Sequence, residues 1–304
     1  MGPLDVAVRF GLYLDLAVMF GVPFFALLAP GIRGVLPLGR ILLAIAIAGL
    51  VLSMFGLMAL AASMAGVPLV EIDLETLTMI LAMPVGTAWL VRMASLAAVV
   101  LAAIALRRQP VTFLVIASAG GAVGLSTLAW NGHGAMDAAM TGWVHLGADI
   151  AHLIAAGAWV GAIIGLLALV LRSAEAFDAP ALRATHRALD GFGLIGTAIV
   201  AVILVTGLIN SWLLVGPANI GMLFTTLYGQ LLLVKLALFV AMLGFAAANR
   251  YRLTPALADR IETGDHRAAL VGLRISLALE ASCALLVLAL VAWLGTLEPV
   301  VSMN

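Results

Sequence analysis

The stretch WVHLGADIAHLIAAGAWVGAIIGLLALVL, residues 143–171, is apolar over its whole length except for three ionisable side chains near its start. A helix that crosses a membrane needs about 20 mostly apolar residues, and this segment is longer than that. His145, Asp149 and His152 are separated by steps of four and three, which places them on one helical face. Ionisable groups within a membrane are costly, so this face is predicted to have a paired or functional role.

The rest of the chain is also strongly apolar. Of its 304 residues 64% are hydrophobic and 10% are charged, with a mean hydropathy of +1.22. Soluble domains carry about 25% charged residues. Because a helix satisfies its own backbone hydrogen bonds in lipid, we predict an all-α, polytopic membrane bundle that forms a single integral membrane domain over residues 1–304. The apolar segments predict eight transmembrane helices, over residues 8–29, 39–64, 77–106, 111–130, 143–171, 188–215, 224–248 and 269–296.

Several classes of function are disfavoured by composition. The net charge is zero and no basic stripe is present, which argues against nucleic acid as a partner. Cys283 is the single cysteine, so internal disulfides and cysteine-rich metal centres are excluded. No nucleotide-binding loop is present, so ATP is not expected to drive the protein directly. We expect no enzymatic activity.

The arginines predict the orientation of the bundle. They occur in the loops after the first, third, fifth and seventh spans, whereas loops 64–77, 130–143 and 215–224 contain no Lys or Arg. By the positive-inside rule, both termini and these three loops face outside. His145 then lies about one turn below the outer surface, with Asp149 and His152 progressively deeper.

Methionine and histidine residues accumulate on that outer side. His133, Met136 and Met140 lie just above the His145–His152 face and would share one face if their loop were helical. Thioether sulfur selects Cu(I), and imidazole suits copper in either oxidation state. The pattern predicts a site through which copper enters, with Asp149 either a ligand or the orienting partner of an imidazole. Methionine also fills apolar cores, so packing remains the alternative for each one.

Four more charged residues lie within the predicted spans: Asp15, Arg92, Lys235 and Glu280. Such groups are expected to be paired or to take part in transport. Their signs balance, and we predict structural ion pairs, in particular Lys235 with Glu280. Cys283, one turn from Glu280, is interpreted as a packing residue.

Several motifs resemble the copper resistance protein D family. They are GHG at 132–134, HLGADIAHLIAAGAWVG at 145–161, TGLINS at 206–211, TTLYGQLLLVK at 225–235, ANR at 248–250, RISLALE at 274–280 and LEP at 297–299. The resemblance covers roughly residues 126–299, and residues before 120 match mainly in length and topology. One departure is HRALDGFGLIG at 186–196, where the family pattern leads us to expect an Arg-Phe-Ser stretch.

The resemblance implies a bacterial inner-membrane protein that handles copper, moves it inward and works with a periplasmic copper-binding partner of the CopC type. Both termini would then be periplasmic. The oxidation state of copper and the oligomeric state stay open.

Two other functions are compatible with parts of the pattern. A b-type haem electron-transfer protein needs axial imidazoles that face each other, usually from different helices. His145 and His152 share one helix, so only His133 could complete such a pair. An intramembrane zinc hydrolase could use His145, Asp149 and His152 as ligands with an open position for water. Asp137 is then the only candidate for an acid on the outer side.

Overall fold

The fold is known from a computed structural model that describes residues 2–131, 139–172, 179–263 and 267–303. These ranges contain α-helices, short 3₁₀ segments and one π-helical turn, and no strand. The α-helices are α1 (Pro3–Leu28), α2 (Leu38–Ala65), α3 (Leu74–Leu81), α4 (Pro84–Ala105), α5 (Pro110–Ser126), α6 (Ala139–Val170), α7 (Ala179–Val215), α8 (Leu227–Ala248), α9 (Thr254–Thr263) and α10 (Arg267–Leu294).

The predicted all-α membrane bundle is confirmed. Eight of the described helices are long and apolar enough to cross a membrane, namely α1, α2, α4, α5, α6, α7, α8 and α10. Consecutive crossings alternate in direction, so we name the two ends of the bundle. The terminal face holds Pro3, Leu294 and the described residues 66–83, 127–131, 139–142 and 216–226. The arginine face holds the described residues 29–37, 106–109, 171–172 and 249–263.

The third predicted span, 77–106, is wrong at its beginning. The short helix α3 ends at Leu81, and the membrane-spanning helix α4 begins only at Pro84. Proline lacks an N–H and disfavours helical backbone at the residue before it, and Met83 is extended, with ψ of 162°. Asp73 caps α3 by accepting the Thr76 N–H at 2.8 Å. Hydrogen bonds from Thr76 hold the pKa of the Asp73 carboxyl below its ordinary value.

Two helices extend beyond their predicted ends on the arginine face. The predicted span 188–215 belongs to α7, which begins at Ala179. After α8 the chain continues through a π-helical turn, Asn249–Leu253, into α9. Helical backbone is therefore not limited to the apolar residues that the hydropathy pattern detects.

The terminal face carries exposed tryptophans. Trp143, Trp212 and Trp293 lie at the ends of α6, α7 and α10 on this face and are exposed to 75%, 66% and 42%. Exposed tryptophan at helix ends is typical of the interface between lipid and water. Their positions are those of an interfacial belt on this face.

The helix α6, which carries the ionisable face, is held close to α1 by glycine. A Cβ atom added at Gly161 would overlap the backbone of Gly21, and one at Gly157 would come within 2.7 Å of the Leu125 side chain. Small residues allow membrane helices to approach this closely. The rest of α6 packs mainly against α7, which therefore faces the ionisable residues.

Candidate functional site

The three ionisable residues of α6 lie within the bundle. His145 is buried, with 2% of its surface exposed, and its Nε2 lies 3.9 Å from Oδ2 of Asp149. Asp149 is exposed to 23%, and His152 is half-buried. From His145 to His152 the helix rises about 10 Å, so the residues form successive levels below the terminal face.

The helix α7 supplies a polar partner at two of these levels. The Asn210 amide donates a hydrogen bond of 2.6 Å to Oδ1 of Asp149. Nδ1 of His152 lies 2.9 Å from the Thr206 hydroxyl, and the imidazole lies beside Gly207 of α7. Thr206 and Asn210 are four residues apart, so the polar faces of α6 and α7 meet in register.

The hydrogen bonds of Thr206 determine which nitrogen of His152 can bind a metal. The Thr206 hydroxyl donates to the Val202 carbonyl at 2.6 Å, so it acts as the acceptor toward His152. Nδ1 of His152 therefore carries the proton, and Nε2 keeps its lone pair. A fixed tautomer of this kind is what partners of metal-binding histidines provide.

Asp149 is the centre of a wider electrostatic cluster. Lys235 and Tyr228 of α8 and Tyr13 of α1 all lie within electrostatic range of its carboxylate. The charge of Lys235 also interacts electrostatically with His152. One carboxylate thus faces groups from α1, α6, α7 and α8, so its charge influences every helix around the site.

The predicted pair of Lys235 with Glu280 is not formed. Glu280 is 3% exposed and accepts hydrogen bonds from Trp159 at 2.7 Å and Asn249 at 3.1 Å. Lys235 is eight residues into α8 and Glu280 fourteen residues from the end of α10, so their depths differ by about 9 Å. This offset explains why Lys235 faces Asp149 instead.

The other two intramembrane charges lie on the opposite side of α1. Arg92 is 3% exposed, and its Nε donates a hydrogen bond of 2.8 Å to the Thr127 hydroxyl. Asp15 packs against Gly49 of α2, and its Oδ2 has no hydrogen-bond partner among the described residues. Neither forms an ion pair with Lys235 or Glu280 in the described part of the chain.

The predicted outer cluster cannot be placed. His133 and Met136 lie outside the described residues, and Met140 lies in α6 with no description of its side chain. Two other methionines of the terminal face, Met64 and Met83, line one cavity of about 400 Å³ between α1, α2 and α4. The charged side chains that line the same cavity are Asp5, Arg9 and Arg92, so the net charge of the lining is positive and disfavours a bare metal cation there.

The described ligand candidates do not converge on one point. Within the described ranges no three His, Cys, Asp or Glu side chains are close enough to share a metal ion. His145 and Asp149 are close neighbours, whereas His152 lies a turn deeper. The arrangement therefore suits an ion that passes from one level to the next better than an ion held in a closed site.

Sequence reasoning missed four polar residues of this region: Trp159, Thr206, Asn210 and Asn249. Thr206 and Asn210 were available as a polar pair at helical spacing within an apolar span. Trp159 lies seven residues after His152, on the same face of α6. Asn249 belongs to the motif ANR at 248–250, but its position at the end of a span, where polar residues are common, indicated no particular role.

Comparison with known proteins relates the whole chain to one family. The family model described as copper resistance protein D matches residues 186–294. The model of the copper resistance protein D-like N-terminal domain matches residues 2–143. Copper resistance protein D of Pseudomonas syringae pv. tomato is 41% identical over 98% of this chain and 97% of its own. This chain belongs to the copper resistance protein D family.

Two further relatives match parts of this copper resistance protein D family member. Inner membrane protein YebZ of Escherichia coli is 32% identical over 57% of this chain and 55% of its own. Copper transport protein CutJ of Bacillus subtilis is 36% identical over 40% of this chain and 21% of its own. No solved structure matches the chain significantly. Together with the eight apolar helices, these relatives support a multi-pass inner-membrane protein that handles copper.

Proposed function

We propose that this protein transports copper across the bacterial inner membrane, inward from the periplasmic side, along the face of α6 that carries His145, Asp149 and His152. One observation carries the proposal. Two imidazoles and a carboxylate lie at successive depths in a membrane bundle, and α7 holds two of the three in place. Copper resistance or copper transport appears in the names of two relatives, which supports copper as the ion.

The chemistry of each level fits a copper ion that loses its water. Neutral imidazole binds Cu(I) and Cu(II), and carboxylate suits the harder Cu(II). His145 takes the ion below the terminal face, and His152 receives it about 10 Å deeper through Nε2. Asp149, between them, either binds the ion or orients an imidazole. Few ligands at each level keep the ion bound weakly enough to move on.

The terminal face is the periplasmic entrance in this proposal, so both chain ends are periplasmic. The distribution of arginine supports this orientation. His133, Met136 and Met140 would collect copper from a periplasmic copper-binding protein of the CopC type. The chain works as one membrane domain, since a single buried apolar cluster includes residues of both α1 and α10.

The decisive experiment measures copper and zinc in the purified protein and copper uptake by cells. The wild-type protein should contain copper, and His145→Ala and His152→Ala should each lose bound copper and uptake. His186→Ala is the matched control, because His186 lies on α7 near the arginine face, away from the proposed levels.

Each contrary result has a distinct meaning. Uptake by both variants that equals wild-type uptake would show that the two histidines have a structural role. Zinc in place of copper would favour a metal hydrolase, and a haem absorption band would favour electron transfer.

A further inference from the structure

A second polar site lies in the half of the bundle toward the arginine face. A cavity of about 190 Å³ is enclosed there by α6, α7, α10 and the turn after α8. Its lining includes Trp159, Phe192, Thr197, Asn249, Arg250 and Glu280. Most of the remaining wall is aliphatic, and Glu280 is the only acidic group among the described residues that line it.

Glu280 is held in this cavity by neutral donors. The Trp159 indole donates to Oε1 at 2.7 Å, and the Asn249 amide donates to Oε2 at 3.1 Å. Both carboxylate oxygens therefore have a hydrogen bond, but neither bond neutralises the charge. A buried carboxylate without an opposite charge is strongly disfavoured, so it either takes up a proton or binds a cation.

The nearest positive charge is engaged elsewhere. The Arg250 guanidinium donates hydrogen bonds to the Gly193 carbonyl and the Thr197 hydroxyl and lies over the Tyr251 ring. It lines the cavity without a recorded contact to Glu280 within the described residues. Arg250 is thus engaged with α7 and the Tyr251 ring, and among the described residues no hydrogen bond or ion pair joins it to the carboxylate.

The side chains that line the cavity suit a proton better than a copper ion. Among the described residues that line the cavity there is no histidine, cysteine or methionine, so these residues offer copper none of the soft ligands that it prefers. A single carboxylate with two neutral donors is sufficient for a proton.

The titratable groups around Glu280 are few. Arg250 and Tyr251 face the cavity from the turn after α8. On α10 itself, Cys283 lies one turn away, and Arg274 bonds the carbonyls of Val170 and Arg172. The other helices around α10 and the cavity carry further ionisable groups, among them His152 on α6, Lys235 on α8, Asp190 on α7, Asp15 on α1, and Asp259 and Arg260 on α9.

We propose that Glu280 is a proton-binding site reached from the arginine face through this cavity, and that its protonation accompanies the passage of copper. The second part rests on the proposed copper transport, and the first does not. Trp159 connects the two sites, since it bonds Glu280 and lies seven residues after His152 on the same face of α6. A change in the protonation of Glu280 can therefore affect His152 through Trp159 and the face of α6 that carries both residues.

Proton binding is tested first and without copper. Infrared difference spectra of the full-length protein, recorded between about pH 5 and pH 9, should show the C=O band of a protonated carboxyl that disappears with rising pH. Glu280→Gln should remove this band. Asp190→Asn should keep it, because Asp190 is an exposed carboxylate on α7. A titrating band that Glu280→Gln leaves wholly unchanged, or the absence of any such band in the wild-type protein, overturns the proposal.

A milder variant keeps the test valid if Glu280→Gln fails to fold. Trp159→Phe removes one donor to the carboxylate and retains an aromatic wall. Since that hydrogen bond favours the charged form, the protonated band should persist to higher pH in Trp159→Phe. An unchanged titration would show that the band does not come from Glu280.

Coupling is tested in liposomes that contain a pH-sensitive dye. Copper added outside should change the internal pH with the wild-type protein, and Glu280→Gln should abolish this change while copper bound at His145 and His152 stays constant. Proton movement that is unaltered in Glu280→Gln contradicts the coupling. A wild-type protein that shows the infrared band but neither binds nor transports copper would instead contradict the proposed function and leave the proton site in place.

Discussion

The hydrogen bond between Thr206 and His152 allows a sharp test of the copper site. Thr206→Val keeps the shape of the side chain but removes the hydroxyl that accepts from Nδ1 at 2.9 Å. Without this acceptor the imidazole is no longer held with Nε2 free and oriented toward the proposed path. We expect weaker copper binding with little change in the folded structure.

The magnitude follows from the contacts. A neutral hydrogen bond contributes about 0.5–1.5 kcal/mol, which corresponds to roughly 2- to 13-fold in affinity. Loss of a partner that orients a metal ligand lowers affinity by about 10- to 100-fold in known sites. The Ile203 carbonyl also interacts with His152 and retains part of the orientation. We therefore expect a loss of about 10-fold, at the lower end of that range.

Copper affinity is measured by competition with a chelator on the purified full-length protein, with thermal unfolding recorded in parallel. Thr206→Ser is the matched control, because it keeps the hydroxyl and should bind like the wild type. Equal affinity of the wild type and Thr206→Val would refute the role of Thr206. An equal loss in Thr206→Ser and Thr206→Val would show that the methyl group, and hence packing, is what matters.

Three further predictions concern packing, orientation and charge. Gly161→Ala should destabilise the protein by about 1–3 kcal/mol, because its Cβ would overlap the Gly21 backbone, whereas Gly147→Ala has open space and should be neutral in thermal unfolding. In a Cys283→Ser background, an impermeant thiol reagent applied from the periplasm should label Val70→Cys but not Asp259→Cys, and the reverse labelling would invert the proposed orientation. Two double-mutant cycles on the free energy of unfolding should differ. Lys235→Met with Asp149→Asn should give a coupling of about 0.5–3 kcal/mol, because the two charges interact, and Lys235→Met with Glu280→Gln should give almost none. Coupling in the second cycle would restore the pair predicted from the sequence.

The crossing helices could be predicted because the membrane imposes a simple rule on composition. Every crossing segment must be long and apolar, and the eight predicted spans correspond to eight observed helices. What lies outside the apolar core was harder to predict. The break before Pro84 and the start of α7 at Ala179 depend on local backbone chemistry, which the hydropathy of a long window averages away.

The site was predicted along α6 but not across the bundle. The spacing of His145, Asp149 and His152 identifies one face of one helix. Which helix lies opposite that face is determined by packing. For example, the close approach of Gly161 to Gly21 places α1 on one side of α6 and leaves α7 on the other. Thr206 and Asn210 therefore could not be assigned as partners. The prediction that Lys235 pairs with Glu280 was wrong for the same reason. The opposite charges of two residues give no information about their relative depths in the membrane.

The contact between Gly21 and Gly161 has a consequence for how the protein is made. The chain emerges from the ribosome in order, so α1 enters the membrane long before its neighbour α6 exists. Roughly 140 residues separate Leu28 from Val170, and at about 5–20 residues per second their synthesis takes roughly 7 to 28 seconds. During this interval the glycine surface of α1 has only lipid or the insertion machinery as a neighbour. The glycine residues that bring α1 and α6 into contact thus require this surface of the first helix to stay uncovered until a partner made near the middle of translation arrives, whereas α2 and α5 can pack against α1 earlier.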